Sequence, residues 1–191
     1  MSDSWVECYF SHYHNLFRNP IERRAFRQDS ISQPIEILVY DDVFEGCRVF
    51  CSLGLTHYSS IIGTISEVLV AVDAGWNDIP FLLAHSLFYI IQQPIHFGPG
   101  VVIGGFEFVR PHFAEFFGKT AFYFTTAHTL STLPEAFSYV SCRGKEGTLQ
   151  VGYLISAKEY GFWLKQHSRR FEELLGQKQV DLLNLSRPSA I

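Results

Sequence analysis

Trp5, Tyr9, Tyr13 and Phe17 recur every four residues within an otherwise polar and aromatic stretch, residues 3–30. That spacing places them on one face of a helix. Asn19-Pro20 ends the helix, because proline disfavours helical backbone in the residue before it. After Gln33-Pro34 the pattern changes. Residues 35–40 are rich in β-branched side chains and predict a strand. Residues 41–46 predict a turn and 47–55 a second strand, forming a hairpin with the first. Residues 66–72 predict a third strand, closed by Asp73-Ala74-Gly75.

Asp78 has the side chain of an N-cap, and Pro80 falls in the first turn, where a missing N–H does no harm. From there to Gln93 the chain is apolar nearly all round, which predicts a helix buried inside the domain. Residues 97–100 (Phe-Gly-Pro-Gly) predict a turn, and 101–103 a strand that continues through 106–109. Residues 121–125, 137–141 and 148–155 predict three more strands. Ser156-x-x-Glu159 is a capping box, whose two side chains satisfy N–H groups that open a helix. Tyr160, Trp163, Leu164, His167, Phe171, Leu174 and Leu175 then form one helical stripe, which Gly176 stops. Residues 180–185 predict a short edge strand. His85 reads as a core histidine and His167 as a half-buried packing residue. The pattern predicts an α/β-type chain forming one domain over 1–191, without repeat, low-complexity tract or linker.

Composition narrows the class. The 191 residues are 47% apolar and 16% aromatic, which excludes an intrinsically disordered or collagen-like chain. A net charge of −4 argues against nucleic-acid binding, which needs a positive field. The charge is uneven. Residues 29–78 carry eight acids (Asp29, Glu36, Asp41, Asp42, Glu45, Glu67, Asp73, Asp78) against one base, Arg48. Two readings follow: solvated turn residues, or a surface that attracts a basic partner.

The start of the sequence has no basic and apolar signal segment, and its longest apolar run, about 13 residues, is too short to span a membrane. Cys47 and Cys51 lie on one face of a predicted strand about 13 Å apart, too far to share a bond or a zinc ion. The expectation is four free thiols in a reducing cytoplasm, with no membrane association.

No nucleophile elbow, phosphate-binding loop, H-E-x-x-H or EF-hand spacing is present. The eight histidines are scattered without ligand spacing. Cys51 with His57 is the one pairing for a small hydrolase, and it needs an activated thiolate. Glu67 reads either as a general base or, more simply, as a solvent-facing acid on a strand. The expectation is therefore no enzyme, no cofactor and no metal.

Five segments, in order, resemble the suppressor-of-fused-like family. Cys51-Ser-Leu-Gly54-Leu55-Thr56 resembles its T-x-G-L-S strand end, and Glu67-Val68-Leu69 its E-L-x strand. Phe97-Gly98-Pro99-Gly100 falls where the family has a glycine turn after a long apolar helix. Leu154-Ile155-Ser156-x-x-Glu159 resembles its P-I-T/S-x-x-E helix start. Asp181-x-x-Asn184-x-x-Arg187-Pro188-Ser189 resembles its D-x-x-x-x-x-R-P-S tail. Tyr153-Leu154 departs from the family's Val-Pro, and Thr56 from its Ser. The resemblance implies an α+β fold, a mixed, mainly antiparallel sheet flanked by helices. It implies protein binding without catalysis. Short bacterial members are similar to immunity proteins or antitoxins that neutralise a cognate toxin, often a nuclease; animal relatives hold a transcription factor inactive. A nuclease cleft is basic, so an acidic face would complement it. The candidate partner-binding residues are Asp41, Asp42, Glu45, Asp73 and Asp78, with Trp76 as an aromatic anchor or, alternatively, a packing residue at the start of the helix. The motif residues Gly54, Leu55, Thr56, Glu67, Gly98, Ser156, Glu159, Asp181, Arg187 and Ser189 read as structural, Arg187 pairing with Asp181 or Glu67. A regulatory adaptor is the alternative reading.

Overall fold

The central strands show almost no apolar–polar alternation because both faces of their sheet are covered. The computed structural model describes residues 5–44, 46–127 and 138–191. Among them eight strands form one sheet: β1 (Glu22–Phe26), β2 (Ile35–Phe44), β3 (Cys47–Leu53), β4 (Ser66–Val72), β5 (Val102–Gly104), β6 (Ala121–Thr126), β7 (Tyr139–Cys142) and β8 (Lys145–Ile155). Their order is β1-β2-β3-β4-β8-β6-β5, with β7 paired to β8. Every pairing is antiparallel except that of β4 with β8.

Strand period then sorts the core into two layers. Val68, Val70 and Val72 of β4 join Ile37, Phe50, Phe122 and Phe124 beneath α3 (Ile79–Gln92). The short helices α2 (Ser59–Ile62), α4 (Phe106–Val109) and α5 (Pro111–Phe117) complete that layer. Leu69 and Ala71 point the other way, with Leu38, Val49, Tyr123 and Tyr153, under α1 (Trp5–Phe17) and α6 (Ala157–Gln177). Tyr9 and Tyr13 are both fully buried, and their hydroxyls donate to Thr148 O (2.6 Å) and Ser52 O (3.1 Å). The aromatic stripe of α1 thus fastens that helix at two points.

Several local expectations change. Residues 41–44 extend β2 through a bulge after Tyr40, instead of forming the turn. Glu22–Phe26 is an additional strand, charged and exposed as befits a sheet edge. Residues 106–109 are helical: Gly105 at φ +98° ends β5, and Pro111 opens the next helix. Residues 180–185 form no strand. His85 is exposed and stacked on Phe81. His167 is exposed too, and its φ of +62° breaks α6 into two segments. The capping box at Ser156 and Glu159 has both of its hydrogen bonds.

The expectation of four free thiols is overturned by a Cys8–Cys142 disulfide, Cα atoms 5.8 Å apart, joining α1 to β7; Cys47 and Cys51 are free and buried. Proximity in the fold, not in sequence, decides disulfide pairing. Such a bond is characteristic of oxidising compartments. Alkylation of the denatured chain without reductant should modify two cysteines, and four after reduction. A Cys8→Ser variant should lose about 2–4 kcal/mol in chemical denaturation. Four alkylated cysteines without reductant would show that the bond does not form.

Candidate functional site

The loop of residues 73–78 joins β4 to α3 at one end of the sheet. Three arginines reach it from different elements. Arg48 lies on β3, opposite Val72 of β4. Its Nε donates to Asp41 Oδ1 at 3.0 Å and its Nη2 to Oδ2 at 3.3 Å, while its guanidinium sits 4.3 Å above the Trp76 ring. Arg110, between α4 and α5, repeats the arrangement. Its Nε is 3.2 Å from Asp78 Oδ1, and its guanidinium lies 3.6 Å over Phe81. Arg24 on β1 forks onto Glu22 (2.7 and 2.8 Å) and donates to Asn77 O at 3.4 Å. Phe81 is further packed edge-on by Phe26 and stacked by His85.

Each exposed ion pair contributes about 0–1 kcal/mol, and each cation–π contact about 0.5–1 kcal/mol at such sites. Their larger effect is on conformation. Two carboxylate–arginine–aromatic units hold long side chains in one arrangement before any partner arrives, which lowers the entropy lost on binding. Trp76 keeps 36% of its surface exposed. Ordered, half-exposed Trp and Arg are the residue types that dominate protein interfaces.

Of the residues singled out from sequence, Asp41, Trp76 and Asp78 therefore meet at this loop. Asp42 follows Asp41 on β2, and Glu45 lies outside the described residues. Asp73 flanks the loop and turns inward, its carboxylate accepting from Leu185 N–H at 2.8 Å. Asp78 caps nothing with its side chain; Arg110 takes it instead. The pairing neutralises Asp41 and Asp78 within the molecule, so this face offers paired charge and aromatic surface more than a bare negative field. Sequence reading missed Arg24, Arg110 and Phe81. Arg48 had a signal, as the single base among eight acids between 29 and 78.

Apart from Gly98 and Asp181, which lie in local turns, the motif residues assemble elsewhere, in two largely buried clusters. Glu67 is fully buried, not solvent-facing. Its carboxylate accepts from Ser52 Oγ (2.6 Å), Gly54 N–H (2.8 Å), Thr56 N–H (3.1 Å) and Thr56 Oγ1 (3.2 Å). Burial pushes its pKa up while these donors pull it back. Gly54 must be glycine: φ is +110°, and a Cβ would lie 2.8 Å from Pro34 O. Gly98 lies in a turn, its carbonyl accepting from Val101 N–H at 3.3 Å. Cys51 is buried, and burial together with the nearby Glu67 raises its thiol pKa well above the ordinary value. It therefore lacks the thiolate character that the Cys51–His57 pairing needs.

The second cluster corrects the pairing of Arg187. Its partner is Glu159, not Asp181 or Glu67: Nη1 donates to Oε1 at 2.6 Å and Nη2 to Oε2 at 3.2 Å. Both side chains are buried, at 5% and 0% exposure. Ser156 Oγ donates to Ser189 Oγ (2.9 Å), and Ala190 N–H to Glu159 Oε1 (2.9 Å). Buried Lys119 donates to Arg187 O at 2.8 Å; desolvation lowers its pKa to about 8. Asp181 Oδ1 accepts from Leu183 N–H at 3.1 Å, closing a local turn. Among the described residues no three His, Cys, Asp or Glu are grouped to hold a metal ion, and no helix is long and apolar enough to cross a membrane.

The family described as Suppressor of fused protein (SUFU) matches residues 32–188. A suppressor of fused homologue from Neisseria gonorrhoeae FA 1090 has a similar structure, with TM-score 0.71 and 14% identity over 98% of this chain and 97% of that one. The related chain of a Sufu–Fu complex superimposes with TM-score 0.66 and 12% identity, over 97% and 91% of the two chains. At these identities the structures establish a shared fold. No curated protein matches the chain in sequence.

Proposed function

This chain belongs to the suppressor of fused family, and from that premise we propose that it works as a single protein-binding domain whose docking face is the 73–78 loop with Arg48, Arg110 and Phe81. The observation that carries the reading is the pair of carboxylate–arginine–aromatic units, ordered at the surface. The fold's occurrence in a Sufu–Fu complex supports a protein as the partner. The mechanism is steric: a preformed face covers the partner's working surface, with Trp76 and the two arginines at its centre and the paired carboxylates of Asp41 and Asp78 beside them. The finer reading is neutralisation of a cognate toxin, in the manner of an immunity protein. The Cys8–Cys142 bond weighs against the cytoplasm as its compartment.

The test is capture of the partner from the source cells by the native chain and by Trp76→Ala and Arg48→Ala variants. Each substitution should weaken capture at least about tenfold, the effect of an interface hot spot. Retention by both variants rejects this face. The captured protein, expressed alone, should be toxic and become harmless when this chain is co-expressed. A captured partner without toxicity identifies a regulatory adaptor.

A further inference from the structure

We infer that residues 181–190 form a strap that sets the conformation of the 73–78 loop, so that the Glu159–Arg187 lock governs how Trp76 is presented to a partner. This rests on the reading of the loop as the docking face and adds its regulation.

The strap passes from one layer of the core to the other. Leu182 is buried in the cluster beneath α1 and α6, Leu185 in the cluster beneath α3, and Ala190 again in the first. Where it crosses, it pairs with the start of the loop twice. Asp73 N–H donates to Leu183 O at 3.1 Å, and Leu185 N–H donates to Asp73 Oδ1 at 2.8 Å. The packing there is close: Gly75 has φ +67°, and a Cβ on it would lie 2.5 Å from Leu185 Cδ2 and 2.9 Å from Phe117 Cε2. The inner side of the loop is therefore shaped against Leu185.

Beyond Leu185 the strap is anchored by buried groups. Arg187 forks onto Glu159, Lys119 Nζ donates to Arg187 O, and Ala190 N–H donates to Glu159. On its outer side the loop meets surface arginines, whose pairs are individually weak. The loop thus has a buried inner support, and outer ties that order side chains but contribute little stability. The inner support ends in one buried ion pair, two residues along the chain from Leu185. The coupling runs through contiguous contacts, from Glu159–Arg187 by way of Leu185 to Asp73 and Gly75, just before Trp76, and it acts when opening of the pair lets the strap take a second position.

Hydrogen exchange on the full chain tests this without a partner, using Arg187→Lys, which keeps the charge but loses the fork, and Leu185→Ala, which leaves the ion pair in place. In both variants the Asp73 amide, which donates to Leu183 O, should exchange about tenfold faster through local opening, beyond the rise in β2 and β3 that the measured loss of global stability accounts for. Faster exchange in 182–190 with an unchanged loop overturns the coupling. So does an equal rise across β2 and β3, which reports general destabilisation. Partner capture is the second arm. Arg187→Lys should weaken it although residue 187 is buried; capture equal to the parent overturns the proposal. Retention of capture by both Trp76→Ala and Arg48→Ala rejects the docking face alone and leaves the exchange result to stand or fall by itself.

Discussion

Replacing Arg187 with Ala is expected to destabilise the fold by about 3–5 kcal/mol, measured as a lower midpoint in urea at neutral pH. The size follows from burial. Arg187 and Glu159 are almost completely removed from water, so deleting one partner leaves the other charge without compensation. Two further groups depend on the same side chain: Leu154 O accepts from Nη2 at 3.2 Å and Pro188 O from Nη1 at 3.1 Å. The variant should also lose part of its acid sensitivity. Burial alone would raise the Glu159 pKa, but the hydrogen bonds and charge of Arg187, with the N–H groups of Ser156 and Ala190, hold it below the ordinary carboxylate value. A group with a depressed folded pKa stabilises fully above its unfolded pKa, and that contribution disappears as the pH falls through the folded value. The parent should therefore lose stability below about pH 4.5 more steeply than Arg187→Ala. A cost under about 1 kcal/mol, with parallel acid curves, would mean that the pair behaves as an exposed one.

The fold was legible wherever one side chain's chemistry determines local backbone. The β4 boundaries at Ser66 and Val72 and the helix start at Ser156 follow from β-branching and capping. What escaped depends on the third dimension. Glu22–Phe26 has the composition of a loop because an edge strand meets water. Phe106–Val109 has the composition of a strand, and only Gly105 and Pro111 fixing the backbone on either side make it a helix. The same limit applies to charge. A strand acid reads as solvated until Gly54, with its left-handed backbone, and Thr56 are folded over it. The acids at 41 and 78 were visible, but their arginines arrive from residues 48 and 110 and reach them only through pairing across the sheet and packing of α5. Cys8 and Cys142 meet across 134 residues of chain, a juxtaposition that spacing does not encode. Family motifs carried further than periodicity. The five quoted segments bring together Gly54 with Glu67 and Ser156 with Glu159, Arg187 and Ser189, so they record contacts of the fold and not the surface of any one interaction. That explains why Gly54, Glu67, Ser156, Glu159 and Arg187 are buried while the candidate docking face falls on residues outside the motifs.

Replacing Glu67 with Ala is expected to have the largest effect of any single change, about 4–6 kcal/mol, and the reason lies in its donors. Four groups point at one carboxylate. Each buried donor left without an acceptor costs about 1–3 kcal/mol, discounted here because Ser52 Oγ can turn and the turn can relax. The carboxylate also organises a junction: Ser52 is on β3, Gly54 with its left-handed backbone follows it, Thr56 lies in the 3-10 turn Leu55–Tyr58, and Ser52 Oγ in turn accepts from Val68 N–H at 2.8 Å. Without Glu67 the end of β3 and the 55–58 turn lose the acceptor that fixes them against β4. Glu67→Gln should be much milder, about 1–2 kcal/mol, since its amide oxygen still accepts from Gly54 and Thr56 and the Ser52 hydroxyl can reverse to accept from the new NH2. The order Ala far worse than Gln, read from urea midpoints, is the signature of a structural acceptor. With partner capture as the second readout, Glu67→Gln should bind as the parent does, because the turn it supports survives. If Gln and Ala abolish function alike while Gln remains stably folded, the charge itself is used, and Glu67 is then an acid in the working site, not a fastening of the fold.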